Sequence, residues 1–302
     1  MICGIIDFGS NTIRLSVYEY KMGTIKMMLS KKSIAGILGY AEAGVLSSKG
    51  IYKACGVLNY FKDILQNFGI ENTYVFATAS LRNISNTEEV VRLIKENTGF
   101  DIDLLSGEDE ALLDFYGAAR ATDIESGLLV DIGGGSTELV AYENRIVKRA
   151  VSLPLGSLNL SLKYVNAILP KKSNMQKMKD DLKEELAKID LSVPKQGMIC
   201  GVGGTVRAAR KLYNELYGLP TDNMVMEAEK FSDILLKYRD ERKVIIRNVI
   251  QLTPDRIHTI ITGMVILQTI MVKYRCSQIS VSPYGVREGY LLQMVTGDST
   301  CC

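Results

Sequence analysis

Histidine is almost missing from this chain, and cysteine is present without a pattern. His258 is the only histidine among 302 residues, which argues against a histidine nucleophile and against an imidazole-based zinc site. The six cysteines are scattered at Cys3, Cys55, Cys200, Cys276, Cys301 and Cys302. None forms a C-x-x-C pair, so they read as reduced thiols rather than metal ligands. A charge excess of one sign is missing too. Lys and Arg number 36 against 34 Asp and Glu, a net charge of +2. Nothing global announces a nucleic-acid partner, and any affinity for phosphate must be local. No apolar run approaches the ~20 residues that span a bilayer. The opening Met1-Ile2-Cys3-Gly4 carries no basic leader region. The expectation is a cytoplasmic protein with no membrane partner. An apolar share of 47% and a charged share of 23% suit a globular chain, long enough for two domains.

What the chain does have is one device written twice. Asp7-Phe8-Gly9-Ser10-Asn11-Thr12 follows the apolar run Ile2 to Ile6. Asp131-Ile132-Gly133-Gly134-Gly135-Ser136-Thr137-Glu138 follows Gly127-Leu128-Leu129-Val130. Aligned without gaps, Asp7 meets Asp131, Gly9 meets Gly133, Leu15 meets Leu139, and Tyr18-Glu19 meets Tyr142-Glu143. A buried strand that ends in an acid and a glycine turn brings backbone N–H groups and a carboxylate up to phosphate and metal.

The pattern between the two devices predicts β-β-β-α-β-α-β-α. Strands are expected at 2–6, 13–20, 24–29, 73–77 and 102–105, with a helix over 49–68. Ser85-Asn86-Thr87-Glu88 reads as a capping box opening a helix to Lys95, and a further helix is expected from about 106 to 121. The second half repeats the opening with strands at 128–131, 138–142 and 145–150. Helices are expected near 156–164, 174–189, 231–238, 243–250, 255–274 and 289–295, with strands at 197–200 and 278–282. The domain border falls at 122/123, giving domains 1–122 and 123–302.

Gly9, Gly133, Gly134 and Gly135 leave room for phosphate to approach the backbone. Ser10, Asn11, Thr12, Ser136 and Thr137 offer hydroxyl and amide contacts beside them. Asp131 ends a buried strand, where an uncompensated carboxylate is costly, and a magnesium ion held directly or through water would satisfy it. Asp7 is the symmetric metal candidate, or a carboxylate bonded to its own loop amides. Glu138 is either a residue that orients metal or water, or a plain strand residue. Arg82 follows a buried strand and can fork onto phosphate oxygens, or pair with a local acid. Gly204 and Thr205, in Gly201-Val202-Gly203-Gly204-Thr205, bind phosphate or cap a helix. Arg14, Arg207, Arg256 and Arg287 form a second rank. Glu108, Asp109 and Glu110 suit the positive end of a helix. The Lys171-Lys172 pair and the lysines of 177–188 are interleaved with acids and read as a solvated face.

Taken in order, these segments resemble the exopolyphosphatase / guanosine pentaphosphate phosphohydrolase (Ppx/GppA) phosphatase family. The segments are the Asp7 loop, Ala77-Thr78-Ala79-Ser80-Leu81-Arg82, Ser106-Gly107-Glu108-Asp109-Glu110-Ala111, the Asp131 loop, Gly201 to Thr205, and Tyr284-Gly285-Val286-Arg287-Glu288-Gly289. The resemblance implies an α/β fold of two duplicated actin-like (ribonuclease H-like) domains with an active site in the interdomain cleft. It implies Glu110 as the catalytic residue that takes a proton from water, Asp131 on Mg2+, and Arg82 on phosphate. The substrate implied is inorganic polyphosphate, cleaved at its terminal phosphoanhydride, or guanosine pentaphosphate. A phosphate or nucleotide sensor without turnover is the reading from another class. A homodimer is expected by resemblance alone. Two segments depart from the family pattern, Ile34-Ala35-Gly36-Ile37-Leu38-Gly39 without an arginine, and Arg256-Ile257-His258. The helical, HD-type region of longer relatives is also expected to be missing. These departures touch substrate preference more than fold.

Overall fold

Strand and helix boundaries follow the apolar periodicity closely in the first compact unit, Met1–Glu110. The computed structural model describes residues 1–191 and 197–297, so Cys301 and Cys302 lie outside the described residues. β1 (Ile2–Phe8), β2 (Thr12–Lys21) and β3 (Thr24–Ile34) form an antiparallel meander. A two-residue hairpin, β4 (Ala41–Glu42) and β5 (Val45–Leu46), precedes α1 (Ser48–Asn67). Ser47 caps α1 by accepting from the Gly50 N–H at 3.3 Å. β6 (Thr73–Ala77), the single-turn α2 (Ala79–Arg82), α3 (Thr87–Thr98) and β7 (Ile102–Leu104) follow. The sheet order is β3-β2-β1-β6-β7, with β1, β6 and β7 parallel. Ile6, Phe8, Leu58, Phe61, Val90 and Ile94 sit in the core that α1 and α3 make with one face of this sheet.

The capping box expected at Ser85 does not form. Asn86 is pulled away to the hairpin, where its side chain accepts from the Leu46 N–H at 2.9 Å and donates to the Leu46 carbonyl at 3.1 Å. Thr87 spends its hydroxyl on the carbonyls of Leu81 and Ile84, and α3 starts without a side-chain cap.

The border between the units falls inside α4 (Gly107–Ala119), between Glu110 and Ala111. From Ala111 onward, Ala111, Phe115 and Ala118 pack with Leu129, Val140 and Val202 of the second sheet. The border expected at 122/123 lies beyond this packed stretch.

The second unit, Ala111–Cys302, repeats the meander as β8 (Gly127–Ile132), β9 (Thr137–Glu143) and β10 (Ile146–Leu153). Then come α5 (Ser157–Tyr164), α6 (Lys172–Ala187), β11 (Met198–Val202), α7 (Gly203–Leu216) and β12 (Val225–Glu227). α8 (Ala228–Asp240), α9 (Arg242–Leu252), α10 (Ile260–Tyr274), β13 (Gln278–Val281) and α11 (Val286–Thr296) complete it. The order is β10-β9-β8-β11-β13-β12, with β8, β11 and β13 parallel and β12 antiparallel at the edge. The first five positions reproduce the first sheet. α10 is apolar on nearly every side and is the buried centre of the helical layer. No helix among the described residues is long and apolar enough to cross a membrane. The helix expected at 255–274 is broken, because Pro254–Arg256 forms a separate 3₁₀ turn before α10.

Candidate functional site

In each unit the residues singled out by the sequence leave the carboxyl ends of three adjacent parallel strands, the end at which open α/β sheets bind ligands. In the first unit β1 runs into the Gly9 loop, β6 into Thr78–Arg82, and β7 into the start of α4. In the second, β8 runs into Gly133–Ser136, β11 into Gly203–Thr205, and β13 into Ser282–Glu288.

The two acid–glycine loops close in the same way. The Gly9 N–H donates to the Thr12 carbonyl at 3.1 Å, and the Gly133 N–H donates to the Ser136 carbonyl at 3.0 Å. In both, the loop carbonyls are consumed by the segment packed behind. Ala35 and Gly36 donate to Asn11, and Leu38 donates to Ser10. Ser157 donates to Gly133, while Leu158 and Asn159 both donate to Gly134. Asn159 Nδ2 takes the Gly135 carbonyl at 2.8 Å. Tying the carbonyls back is what a loop needs in order to present N–H groups to an anion. Ser10 and Ser136 are buried, and Thr137 donates its hydroxyl to the Leu155 carbonyl at 2.6 Å, so that side chain serves the loop itself.

The loops differ in the residue opposite the acid. Across the ladder Asp7 faces Arg14, whereas Asp131 faces Glu138. Directly opposed residues emerge on the same face of a sheet. The first loop therefore has a positive charge beside its acid, and the second has another carboxylate. Glu138 is fully buried and accepts from Ser152 Oγ at 2.8 Å.

Adjacent strand ends also bring Arg82 to Glu110. Arg82 Nη1 donates to Glu110 Oε2 at 2.9 Å and to the Leu105 carbonyl at 3.0 Å. Glu110 is 7% exposed. Its neighbours behave differently: Asp109 accepts from Ser106 Oγ at 2.6 Å in the exposed first turn, a helix-capping role. Ser80 Oγ donates to the Phe8 carbonyl and ties the Arg82 segment to β1.

Asp131 sits in the densest polar cluster of the second unit. Burial pushes its carboxyl above the ordinary carboxylate range, and Arg207, Arg256, a hydrogen bond with Asp114, and Arg287 pull it back. Burial lowers Arg207 from the usual guanidinium value, with Arg287 beside it adding to the effect, and burial also lowers Arg256. Gly203, at φ 76°, lies against the Asp131 carboxylate so closely that a Cβ there would overlap Oδ1. Gly204 is pressed in the same way by the Arg256 guanidinium. Arg256 Nη1 donates to Thr205 Oγ1 at 3.3 Å. Thr205 thus takes an arginine contact and does not cap α7. Arg207 Nη1 donates to the Pro283 carbonyl at 3.2 Å. Glu288 reaches back to the Gly285 N–H at 3.0 Å, so α11 starts before the expected Gly289.

The donor chemistry at Asp131 fits a magnesium ion. Asp131 supplies a carboxylate near the end of β8, and magnesium takes one or two carboxylates with water and phosphate oxygens. Among the described residues no group of three or more His, Cys, Asp or Glu side chains is placed as a metal cage. Asp114 was not among the candidates read from sequence. The only signal for it is its spacing from Glu110, one helical turn along α4.

The model of the Ppx/GppA phosphatase family matches residues 16–297. The chain is 26% identical to "Exopolyphosphatase 1" of Mycobacterium tuberculosis, over 99% of this chain and 90% of that protein. It is 25% identical to a putative exopolyphosphatase of Haemophilus influenzae, over 96% and 90%. The crystal structure of the Aquifex aeolicus Ppx/GppA family member superposes with a TM-score of 0.78 at 25% identity, covering 98% of each chain. An exopolyphosphatase structure from Cytophaga hutchinsonii has a TM-score of 0.85 at 19% identity, also covering 98% of each. The first five strand positions of the second sheet repeat the order of the first. The chain belongs to the Ppx/GppA phosphatase family, and with it to the phosphoanhydride hydrolases.

Proposed function

We propose that this chain is an exopolyphosphatase that releases orthophosphate from the end of inorganic polyphosphate. The observation that carries the reading is the buried Glu110 carboxylate held by Arg82, in a chain similar over nearly its whole length to proteins named exopolyphosphatases. Glu110 takes a proton from the water that attacks the terminal phosphorus, the task of a positioned carboxylate. Arg82 fixes the carboxylate, and the resemblance to the family implies that its guanidinium also meets phosphate oxygens. Within each unit the backbone N–H groups of its glycine loop suit a phosphate, Gly9 with Ser10, Asn11 and Thr12 in the first and Gly133–Gly135 with Ser136 in the second. Arg256, steadied on Thr205, adds positive charge in the second unit.

Asp131 is the residue assigned to hold magnesium. When bound, the ion supplies charge neutralisation for the transferring phosphoryl group. Glu138 is engaged by Ser152 and Asp7 stands opposite Arg14, so neither is given the metal. The enzyme is proposed to work in the cytoplasm as a homodimer, as its resemblance to the family implies.

The test is phosphate release from long-chain polyphosphate, guanosine pentaphosphate and ATP, with and without magnesium. The expected order puts polyphosphate first. A higher kcat/KM for guanosine pentaphosphate would reassign the substrate. Tight binding of any of them without release would make the chain a sensor.

A further inference from the structure

We propose that Asn159 is a positioning residue for the Gly133–Ser136 loop, fixing the direction in which the Ser136 N–H is offered to a phosphate oxygen. The inference rests on the reading of that loop as a phosphate site made above.

Three successive peptides of the loop are held by the entry to α5. The Gly133 carbonyl accepts from the Ser157 N–H and from Ser157 Oγ, each at 2.9 Å. The Gly134 carbonyl accepts from the N–H groups of Leu158 at 2.9 Å and Asn159 at 3.0 Å. The Gly135 carbonyl accepts from Asn159 Nδ2 at 2.8 Å. The peptides are trans, so each carbonyl and the N–H that follows it point to opposite sides. Each tie therefore sets the direction of one N–H, those of Gly134, Gly135 and Ser136 in turn. The first two carbonyls have backbone donors, which survive a change of side chain. The third is held by the Asn159 amide, and Gly135 gives that peptide the freedom to turn over once the tie is cut.

The partners of Asn159 settle which way its amide faces. Oδ1 accepts from the Gly156 N–H at 2.7 Å, and Nδ2 donates to the Pro154 carbonyl at 3.0 Å as well as to Gly135. One side chain thus joins the approach to α5, its first turn and the loop. Gly156 completes the seat, because a Cβ there would stand 2.5 Å from the Gly134 carbonyl oxygen and 2.6 Å from the Ser136 nitrogen. Helix capping alone does not account for this. Asn174 makes the same back-bond at α6, where Oδ1 accepts from the Lys171 N–H at 2.7 Å and Nδ2 donates to the Tyr164 carbonyl at 2.6 Å. Both asparagines stand at the third position of their helices and both are half-buried. Asn159 differs in reaching the glycine loop.

The experiment is calorimetric titration of the full chain with inorganic phosphate in the presence of magnesium, with thermal unfolding of each variant alongside. Wild type is expected to bind phosphate. Gly134→Val fills the room for the anion; it is expected to weaken binding and reports on the loop itself. Asn159→Ala is expected to weaken binding by about tenfold, the effect of misdirecting one hydrogen bond to a charged group. Asn174→Ala removes the same back-bond from α6, and is expected to lower the melting temperature while leaving phosphate affinity unchanged. Gly156→Ala pushes on Gly134 and Ser136 with Asn159 intact, and is expected to weaken phosphate in the same direction. It reports on the proposal even if Asn159→Ala fails to fold. Phosphate affinity in Asn159→Ala or Gly156→Ala no lower than in Asn174→Ala, while Gly134→Val still weakens it, would overturn the proposal and leave the reading of the loop standing. Unchanged affinity in Gly134→Val, or a wild type that binds no phosphate, would overturn both. Phosphate release from polyphosphate, measured separately, would then still decide the proposed activity.

Discussion

Arg82 and Glu110 are joined by a 2.9 Å ion pair at the ends of two neighbouring strands. Arg82 leaves the carboxyl end of the β6 segment and Glu110 the segment after β7, and the two strands are hydrogen-bonded neighbours. An ion pair with a side-chain exposure of 20% on the arginine and 9% on the glutamate fixes the carboxylate rather than merely decorating the surface. Glu110→Gln keeps an oxygen for Arg82 and loses the base, so the fold is expected to persist while kcat falls by about 10²–10⁴-fold. Arg82→Ala removes a hydrogen bond to a charged group, about 1.5–3 kcal/mol, and is expected to lower kcat/KM roughly 10- to 100-fold. Phosphate-release kinetics on polyphosphate check both. Full retention of activity in Glu110→Gln would end the general-base assignment.

The cross-strand partners separate the two acid–glycine loops. Asp7 has a cation, Arg14, as its cross-strand partner, while Asp131 has a second carboxylate, Glu138, in that place. Asp131→Asn is therefore expected to raise the magnesium concentration for half-maximal activity by tenfold or more. Asp7→Asn is expected to leave that concentration within about twofold, with any loss showing in kcat or in melting temperature. Magnesium titrations of the two variants make the comparison. Equal shifts in both would restore the symmetric role for Asp7.

The duplicated loops were legible in the sequence because everything that defines them is local: an apolar run, an acid, and glycines within a few residues. The cluster around Asp131 was not, because Arg207, Arg256 and Arg287 arrive from α7, the 3₁₀ turn before α10 and α11, and only the tertiary fold gathers them. Asp114 was hidden by its setting, an acid inside an otherwise apolar helix stretch. The capping box at Ser85 failed for a tertiary reason, since the Ser85 hydroxyl donates instead to the Gly44 carbonyl in the β4–β5 turn, at 3.2 Å. β12 was missed because a three-residue edge strand carries too little periodicity to read. The start of α11 was misplaced because Glu288 caps backward onto Gly285, and this pulls Arg287 and Glu288 into the first turn.

Gly203 holds a left-handed backbone, φ 76°, with its missing Cβ occupied by the Asp131 carboxylate. Gly203→Ala meets both costs at once, the conformational one of about 1–3 kcal/mol and displacement of Asp131. Urea unfolding is expected to show a loss of about that size. The variant is also expected to require more magnesium than wild type, as Asp131→Asn does. A Gly203→Ala protein with unchanged stability and unchanged magnesium dependence would show that the Asp131 carboxylate is not confined there.

Asp181 on α6 gives a pH dependence with a definite sign. Burial alone would raise its carboxyl, but hydrogen bonds from Lys163 Nζ and Tyr164 OH, each 2.6 Å, hold it below the ordinary carboxylate range. The same contact pushes Lys163 up to about 12. A carboxyl depressed in the folded state contributes stability that is present above its unfolded pKa and is lost as pH falls through its folded pKa. Asp181→Asn is therefore expected to be less stable than wild type at neutral pH, with the gap closing as acid protonates Asp181 below the ordinary carboxylate range. Lys163 is 57% exposed, so solvent screening keeps the effect small. On the alkaline side, the raised Lys163 adds stability that fades only as pH climbs through about 12. Denaturant unfolding of both proteins between neutral pH and pH 3 reads the difference. A gap that widened toward acid would mean that the Asp181 contact is absent from the folded protein in solution.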